Sequence, residues 1–332
     1  MKISYHTAKQ SLNPAIGYGY AGGNIVRSLQ QLGHEVNIDD ETAKVQLNFC
    51  QPDYFKFNKN QYQIGYTPWE STVIKKEWVV LFNRCDEVWT TSDWCANVFQ
   101  ENGVKVDIKV FPHGIEDIWS PTKRVVADDR PLKFLHVGEP APRKGGQMAL
   151  DAFVKYFAGD ERYSLTIKGH YTNSTRVYIN DNKISTPNIY NNIKIITDEL
   201  DLSQLVDLYK SHHVLIYPGW GEGFGLIPFQ ALATGMPTIC TESWAHYKEY
   251  LGPLKLNSTL TDEAIPNTIK SIHLGQMFEP DKENLEEHML FVAKNFKAMS
   301  GYYYAQSSRL HKDYNWLQLT NNAFEHIFKK FS

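Results

Sequence analysis

The chain has 332 residues, 42% of them hydrophobic and 21% charged, an ordinary globular mixture that excludes disordered and fibrous classes. That length exceeds one typical domain core and suits two. Lys and Arg number 34 against 37 Asp and Glu, a net charge of −3, so no global positive field draws the molecule to nucleic acid.

The amino end, Met1-Lys2-Ile3-Ser4-Tyr5-His6, carries polar residues at once and fits neither a signal peptide nor a membrane span, which makes the cytoplasm the expected location. After this opening strand the loop Ile16-Gly17-Tyr18-Gly19-Tyr20 is followed by Ile25, Val26, Leu29 and Leu32 at helical spacing up to Gly33. Glu35 to Ile38 reads as the next strand, and further extended runs fall at Val45 to Phe49, Ile64 to Tyr66 and Glu87 to Thr90. Helices are expected through Trp78 to Phe82 and after Ser92, whose side chain suits an N-cap. Val104 to Phe111 extends again. The charged, proline-bearing stretch Thr122 to Pro131 breaks the alternation and reads as a linker.

A second ladder then begins. Strands are expected at Lys133 to Gly138, Tyr163 to Lys168, Lys194 to Ile196, Val214 to Tyr217 and Pro237 to Cys240. Helices are expected at Gln147 to Tyr156, Leu202 to Tyr209 and Phe229 to Thr234, while polar, aperiodic Tyr171 to Asn192 reads as a long excursion on one rim. Repeated strand–helix alternation implies α/β architecture with parallel sheets covered on both faces, here two Rossmann-like domains with a cleft between them. Cys50, Cys85, Cys95 and Cys240 are too scattered for a disulfide framework and are expected as buried apolar residues.

Two loops carry the chemical signal. Tyr217-Pro218-Gly219-Trp220-Gly221-Glu222-Gly223-Phe224-Gly225-Leu226 joins a strand to a helix, and its glycines are expected to let backbone N–H groups approach a phosphorylated sugar. Glu222 within it would accept hydrogen bonds from sugar hydroxyls. Gly138-Glu139-Pro140-Ala141-Pro142-Arg143-Lys144-Gly145 places a guanidinium and an ammonium at the end of another strand, suited to a diphosphate leaving group. The plainer readings are a glycine-rich turn and a solvated charge pair. No Cys/His set or Asp-x-Asp loop suggests a metal, so metal independence is expected.

The order of these loops, with Leu205-Val206-Asp207-Leu208-Tyr209 between them and Glu222-Gly223-Phe224-Gly225-Leu226 after the strand, resembles glycosyltransferase family 4, retaining enzymes of the GT-B fold. Gly17-Tyr18-Gly19, Gly33-His34-Glu35-Val36 and Phe111-Pro112-His113-Gly114-Ile115 resemble that family's first domain, and Tyr314-Asn315-Trp316-Leu317 through Phe328 its last helix, which crosses back. The short two-domain form is similar to transferases often carried by bacteriophages. The resemblance implies residues 1–121 as an acceptor domain, 122–131 as linker, 132–301 as the donor domain and 302–332 as returning helices. It further implies Glu222, Arg143 and Lys144 as catalytic and Gly19, Gly223, Phe224, Gly225, Leu226 and Gln230 as donor-binding. Gly17, Trp69, Glu70 and His113 would face the sugar or acceptor.

Departures from the family stand at Gln230, where the resembled enzymes carry a ribose-binding glutamate, at Glu139 in place of an arginine, and at Tyr66 to Ser71, which lacks a histidine. The expected reaction is hexosyl or pentosyl transfer from a UDP- or GDP-linked sugar, as co-substrate and without a cofactor, to a glycan, metabolite, lipid-linked sugar or hydroxymethylated DNA base. Residues 1–131 hold 14 Lys and Arg against 16 Asp and Glu, which argues mildly against DNA. A silent nucleotide-sugar sensor or scaffold and a nucleotide-sugar epimerase are the alternatives.

Overall fold

The computed structural model describes residues 1–13, 17–127, 130–169, 190–261 and 273–331. Ile16, Asp128 and Asp129 of the expected linker, and residues 171–189 of the polar excursion lie outside them.

Extended runs in the first half of the chain become strands, with helices between them. In chain order these are Lys2–His6 (β1), Gly17–Gln31 (α1), Glu35–Ile38 (β2), Val45–Phe49 (β3), Tyr62–Tyr66 (β4), Lys76–Phe82 (α2), Glu87–Thr90 (β5), Asp93–Glu101 (α3) and Asp107–Val110 (β6). Every residue of β3 is buried, as a parallel sheet covered on both sides requires. Ser92 caps α3 by accepting the Cys95 N–H at 3.2 Å. The six strands lie parallel in the order β2-β1-β3-β4-β5-β6.

The second half repeats the plan with Leu132–Val137 (β7), Gly146–Phe157 (α4), Tyr163–Lys168 (β8), Ile193–Ile196 (β9), Leu202–Lys210 (α5), Val214–Tyr217 (β10), Leu226–Ala233 (α6), Thr238–Thr241 (β11) and Lys255–Leu256 (β12). Their order is β12-β11-β10-β7-β8-β9, again parallel. The strand order reverses between β7 and β10, and the loops leaving those two strands flank this switch point, where open α/β sheets bind ligands. Helix α6 starts earlier than the periodicity suggests, directly at Leu226.

Sequence periodicity leaves unread a short antiparallel pair, Ser258–Leu260 (β13) with Phe278–Pro280 (β14), and the first half of the long helix Lys282–Asp313 (α7). Residue 302, the expected start of the returning helices, falls inside α7, which packs on the second lobe through α4 and α6. The final helix, Trp316–Phe331 (α8), lies against α1 and buries Phe324 and Ile327 in the core of the first lobe. The chain thus crosses between lobes twice, and the crossings touch: the Ile115 N–H donates to the Tyr314 carbonyl at 2.9 Å.

Lys123, Val125, Ala127 and Arg130 of the linker are exposed, but one of its side chains is not. Arg124 is 7% exposed and lies across the ends of two helices. Its guanidinium donates to the carbonyls of His212 and Thr234 at 2.7 Å each, of Thr122 at 3.1 Å and of Tyr209 at 3.2 Å, and to Thr234 Oγ1 at 2.8 Å. Helix carboxyl ends leave carbonyls without intrahelical donors, and a cation there also meets the negative end of the helix dipole. All four cysteines are free and buried, as expected of small apolar residues.

Candidate active site

Between the lobes lies a cavity of about 880 Å³, floored by the loops that leave β7 and β10 and roofed by α1 and the residues after β4. Twelve of the thirteen site residues read from the sequence line it: Gly17, Gly19, Glu70, His113, Arg143, Lys144, Glu222, Gly223, Phe224, Gly225, Leu226 and Gln230. Trp69 does not. Its indole is 1% exposed, donates to the Val73 carbonyl at 3.1 Å and packs edge-on against Trp78, so it belongs to the core of the first lobe. The physical reason is local: neighbouring side chains of an extended segment point to opposite sides, and Glu70 takes the cleft side. Trp78 and Trp89 are likewise fully buried, and Trp94 packs on Phe278.

Glu222, 8% exposed, stands at the centre of the polar contacts between the two loops. Its Oε1 accepts from Lys144 Nζ at 2.5 Å and from Tyr217 Oη at 2.6 Å, with Arg143 Nη1 at 3.2 Å. Arg143 Nη1 also donates to the Gly221 carbonyl at 2.6 Å, and the Trp220 N–H returns a bond to the Arg143 carbonyl at 2.8 Å. These contacts lock the two loops together. From the first lobe, Glu70 places Oε1 at 3.7 Å from Arg143 Nη2 and Oε2 at 3.2 Å from His273 Nε2.

Electrostatics follow from this packing. Burial would raise both carboxyls, but the cations prevail: Arg143 and His273 hold Glu70 down to about 2, and Lys144 with Arg143 holds Glu222 below its ordinary value. Burial works against the Arg143 charge as well, and Glu222 with Glu70 more than restores it. Burial lowers His113 to about 3, which leaves its imidazole neutral at pH 7, T-shaped on Phe224 at 5.0 Å. His136 is 1% exposed, bonds the Ile216 carbonyl at 2.9 Å and stacks on Tyr217.

Two of the loop glycines also sit where the lobes meet. A Cβ on Gly221 would lie 2.2 Å from the Glu70 carbonyl oxygen, and one on Gly223 would lie 2.2 Å from Pro68 Cβ. These positions let the backbones of the two lobes approach closely. Thr91 Oγ1 donates to the Gly223 carbonyl at 2.5 Å across the same seam. Gly225 has φ +80° at the N-cap of α6, where Tyr247 Oη donates to its carbonyl at 2.6 Å and a side chain would strike Trp244. Gly225, Leu226 and Ile227 at the start of α6 line the cleft together with Lys144 and Arg143, and the N–H groups of a helix start are suited to anionic oxygens.

A model of family 4 glycosyltransferases in conflict systems matches residues 91–317. The chain belongs to that family. It is a glycosyltransferase of GT-B fold, as the two facing parallel sheets also show. Sucrose-phosphate synthase from Thermosynechococcus elongatus superposes with a TM-score of 0.74 at 12% identity, covering 99% of this chain and 99% of that one. A glycosyltransferase from Rickettsia africae ESF-5 follows at TM-score 0.70 and 13% identity, covering 99% and 97%. Anabaena HepE, solved in complex with UDP, gives TM-score 0.69 and 12% identity over 99% and 100%. No curated protein matches this glycosyltransferase in sequence. Among the described residues no helix is long and apolar enough to cross a membrane, and no group of three His, Cys, Asp or Glu could hold a metal.

Sequence reasoning missed several cleft residues of this glycosyltransferase. Tyr217, Tyr20, Arg27, Glu116 and Lys168 all line the cavity. Tyr217 closes a strand that reads as pure core, and its hydroxyl toward Glu222 carries no periodic signature. His273 and Glu116 arrive through tertiary packing alone.

Proposed function

We propose that this glycosyltransferase moves a hexosyl or pentosyl group from a nucleoside diphosphate sugar to an acceptor hydroxyl with retention at the anomeric carbon. The observation that carries the reading is the Lys144–Glu222–Arg143 cluster at the switch point, beside the amino end of α6. In it, Arg143, Lys144 and the N–H groups of Gly225 and Leu226 bind the diphosphate, Glu222 accepts from sugar hydroxyls, and Gln230 meets the ribose. UDP is the first nucleotide to test, since HepE was solved with it, and GDP the second.

Catalysis in this reading is stabilisation of the departing charge by preorganised donors. The anomeric carbon–phosphate oxygen bond breaks while the acceptor oxygen bonds the same face. The acceptor proton passes to the leaving phosphate oxygen, so no side-chain nucleophile is needed. Arg143 and Lys144 supply the positive charge that a divalent ion supplies elsewhere, and turnover is expected to be unchanged by EDTA. Glu70 and the neutral His113 face the sugar or acceptor from the first lobe, and the seam between Pro68–Glu70 and the glycine loop excludes water from the donor.

A second reading, a nucleotide-sugar sensor without turnover, is favoured by one observation: both cations are already paired with carboxylates. Incubation with each common nucleotide sugar separates the two. Release of nucleoside diphosphate and sugar supports transfer, and tight binding without release supports the sensor. Glu222→Ala is expected to abolish release; full activity in that variant would refute the site. A mass-spectrometric screen of acceptor pools, hydroxymethylated DNA included, identifies the acceptor.

A further inference from the structure

Helix α6 carries the cleft wall onward from the diphosphate seat. Four residues beyond Leu226, about 6 Å of helical rise, Gln230 occupies the same face. That step is close to the span from a phosphate to its ribose. Opposite Gln230 the cleft is walled by Tyr20 and Arg27 of α1 and by Glu116 of the first crossing between lobes.

These residues form one polar cluster. Tyr20 Oη receives the Trp119 indole N–H at 3.0 Å, with Glu116 and Gln230 as its polar neighbours. Arg27 Nη2 donates to Glu116 Oε1 at 3.0 Å and to Asn24 Oδ1 at 3.0 Å, which orients the carboxylate. Glu116 Oε2 is buried and has no hydrogen-bond partner among the described residues. A buried carboxylate oxygen without a donor carries a desolvation penalty, and a hydroxyl brought by a ligand would relieve it.

We propose that Glu116 is a specificity-determining residue, accepting a hydrogen bond from a ribose hydroxyl of the donor nucleotide across the cleft from Gln230. The inference rests on the nucleotide-sugar reading above and adds the residue that reads the sugar of the nucleotide. The pairing has a chemical logic. A carboxylate only accepts, whereas an amide both donates and accepts, so Glu116 and Gln230 together satisfy a vicinal diol. A second acid at position 230 would set two negative charges around the single hydroxyl of Tyr20.

The test is calorimetric binding to the full chain of UDP, GDP, their 2′-deoxy and 3′-deoxy counterparts, and inorganic pyrophosphate. Wild type is expected to prefer a ribonucleotide over at least one deoxy counterpart by roughly tenfold, the scale of one hydrogen bond to a charged group. Glu116→Gln is expected to bring that preference to within about twofold while pyrophosphate affinity holds. An unchanged preference, or none in wild type, overturns the role of Glu116. Should Glu116→Gln not fold, Glu116→Asp keeps the charge but withdraws it by one methylene. An intermediate preference in that variant supports the proposal, and a wild-type preference overturns it. Wild-type protein that binds neither nucleotide nor pyrophosphate sinks the parent reading instead, and the two failures are thereby distinguished.

Discussion

If a diphosphate binds as proposed, Glu70 competes with it for Arg143. Arg143 and Lys144 bring two positive charges to the corner, and Glu222 with Glu70 bring two negative ones, so the site is neutral before a ligand arrives. A diphosphate must then displace Glu70 or share Arg143 with it. Glu70→Gln is therefore expected to tighten inorganic pyrophosphate binding by roughly tenfold, by analogy with the strength of one charge-assisted contact; weaker binding in calorimetry would place Glu70 on the ligand rather than against it. The same residue predicts a pH dependence. Its carboxyl is held at about 2 in the fold against an ordinary value of 4.5. A lowered folded value means stability that is present above about pH 4.5 and lost as pH falls toward 2, on the order of 3 kcal/mol for a shift of this size. Melting temperatures of wild type should fall more steeply across that window than those of Glu70→Gln.

Among the elements, α5 and α6 depend on a residue outside both. Their carboxyl-terminal carbonyls converge on Arg124, which meets four carbonyls and one hydroxyl while almost fully buried. Arg124→Ala leaves these buried acceptors without their donor, and a loss of roughly 3 kcal/mol in urea unfolding is expected. Arg124→Lys, a single ammonium in place of a fork, should recover only part of it. Composition reads this segment only as a linker, and nothing local marks the one arginine in it that finds helix ends. Helix α6 shows the opposite case. Residues 228–233 are all buried, so its apolar run carries little amphipathic periodicity, and its start is set by Gly225 rather than by pattern.

For the molecule as a whole, the seam between the glycine loop and Pro68–Glu70 decides how close the lobes sit. Gly223→Ala would force a methyl group against Pro68 Cβ and the Trp69 nitrogen, at 2.2 Å and 2.8 Å. The expected outcome is a cleft held partly open, read as a larger radius of gyration in solution scattering and a loss of transfer, with each lobe still folded by circular dichroism. Unchanged scattering with full activity would show that the seam yields locally. A second anchor reinforces closure: the Thr72 N–H donates to the Gln276 carbonyl at 3.0 Å, and the Gln276 N–H donates to Thr72 Oγ1 at 2.8 Å.

The division between what was legible and what was not follows the range of the interactions. Strand–helix alternation, the Ser92 cap and the two loops after β7 and β10 are local patterns, and the sequence by itself determined them; the return of the last helix and most of the twelve cleft residues came from the family resemblance, since the contact of α8 with α1 is long-range. The fate of Trp69 against Glu70, the second-lobe partner His273 and the carboxylate of Glu116 depended on which surfaces meet when two sheets close on each other. The use of Gly221 and Gly223 for contact between lobes and the burial of Arg124 depended on the same closure. Such pairings join residues up to about 200 positions apart and leave no periodicity, so only the tertiary structure decided them.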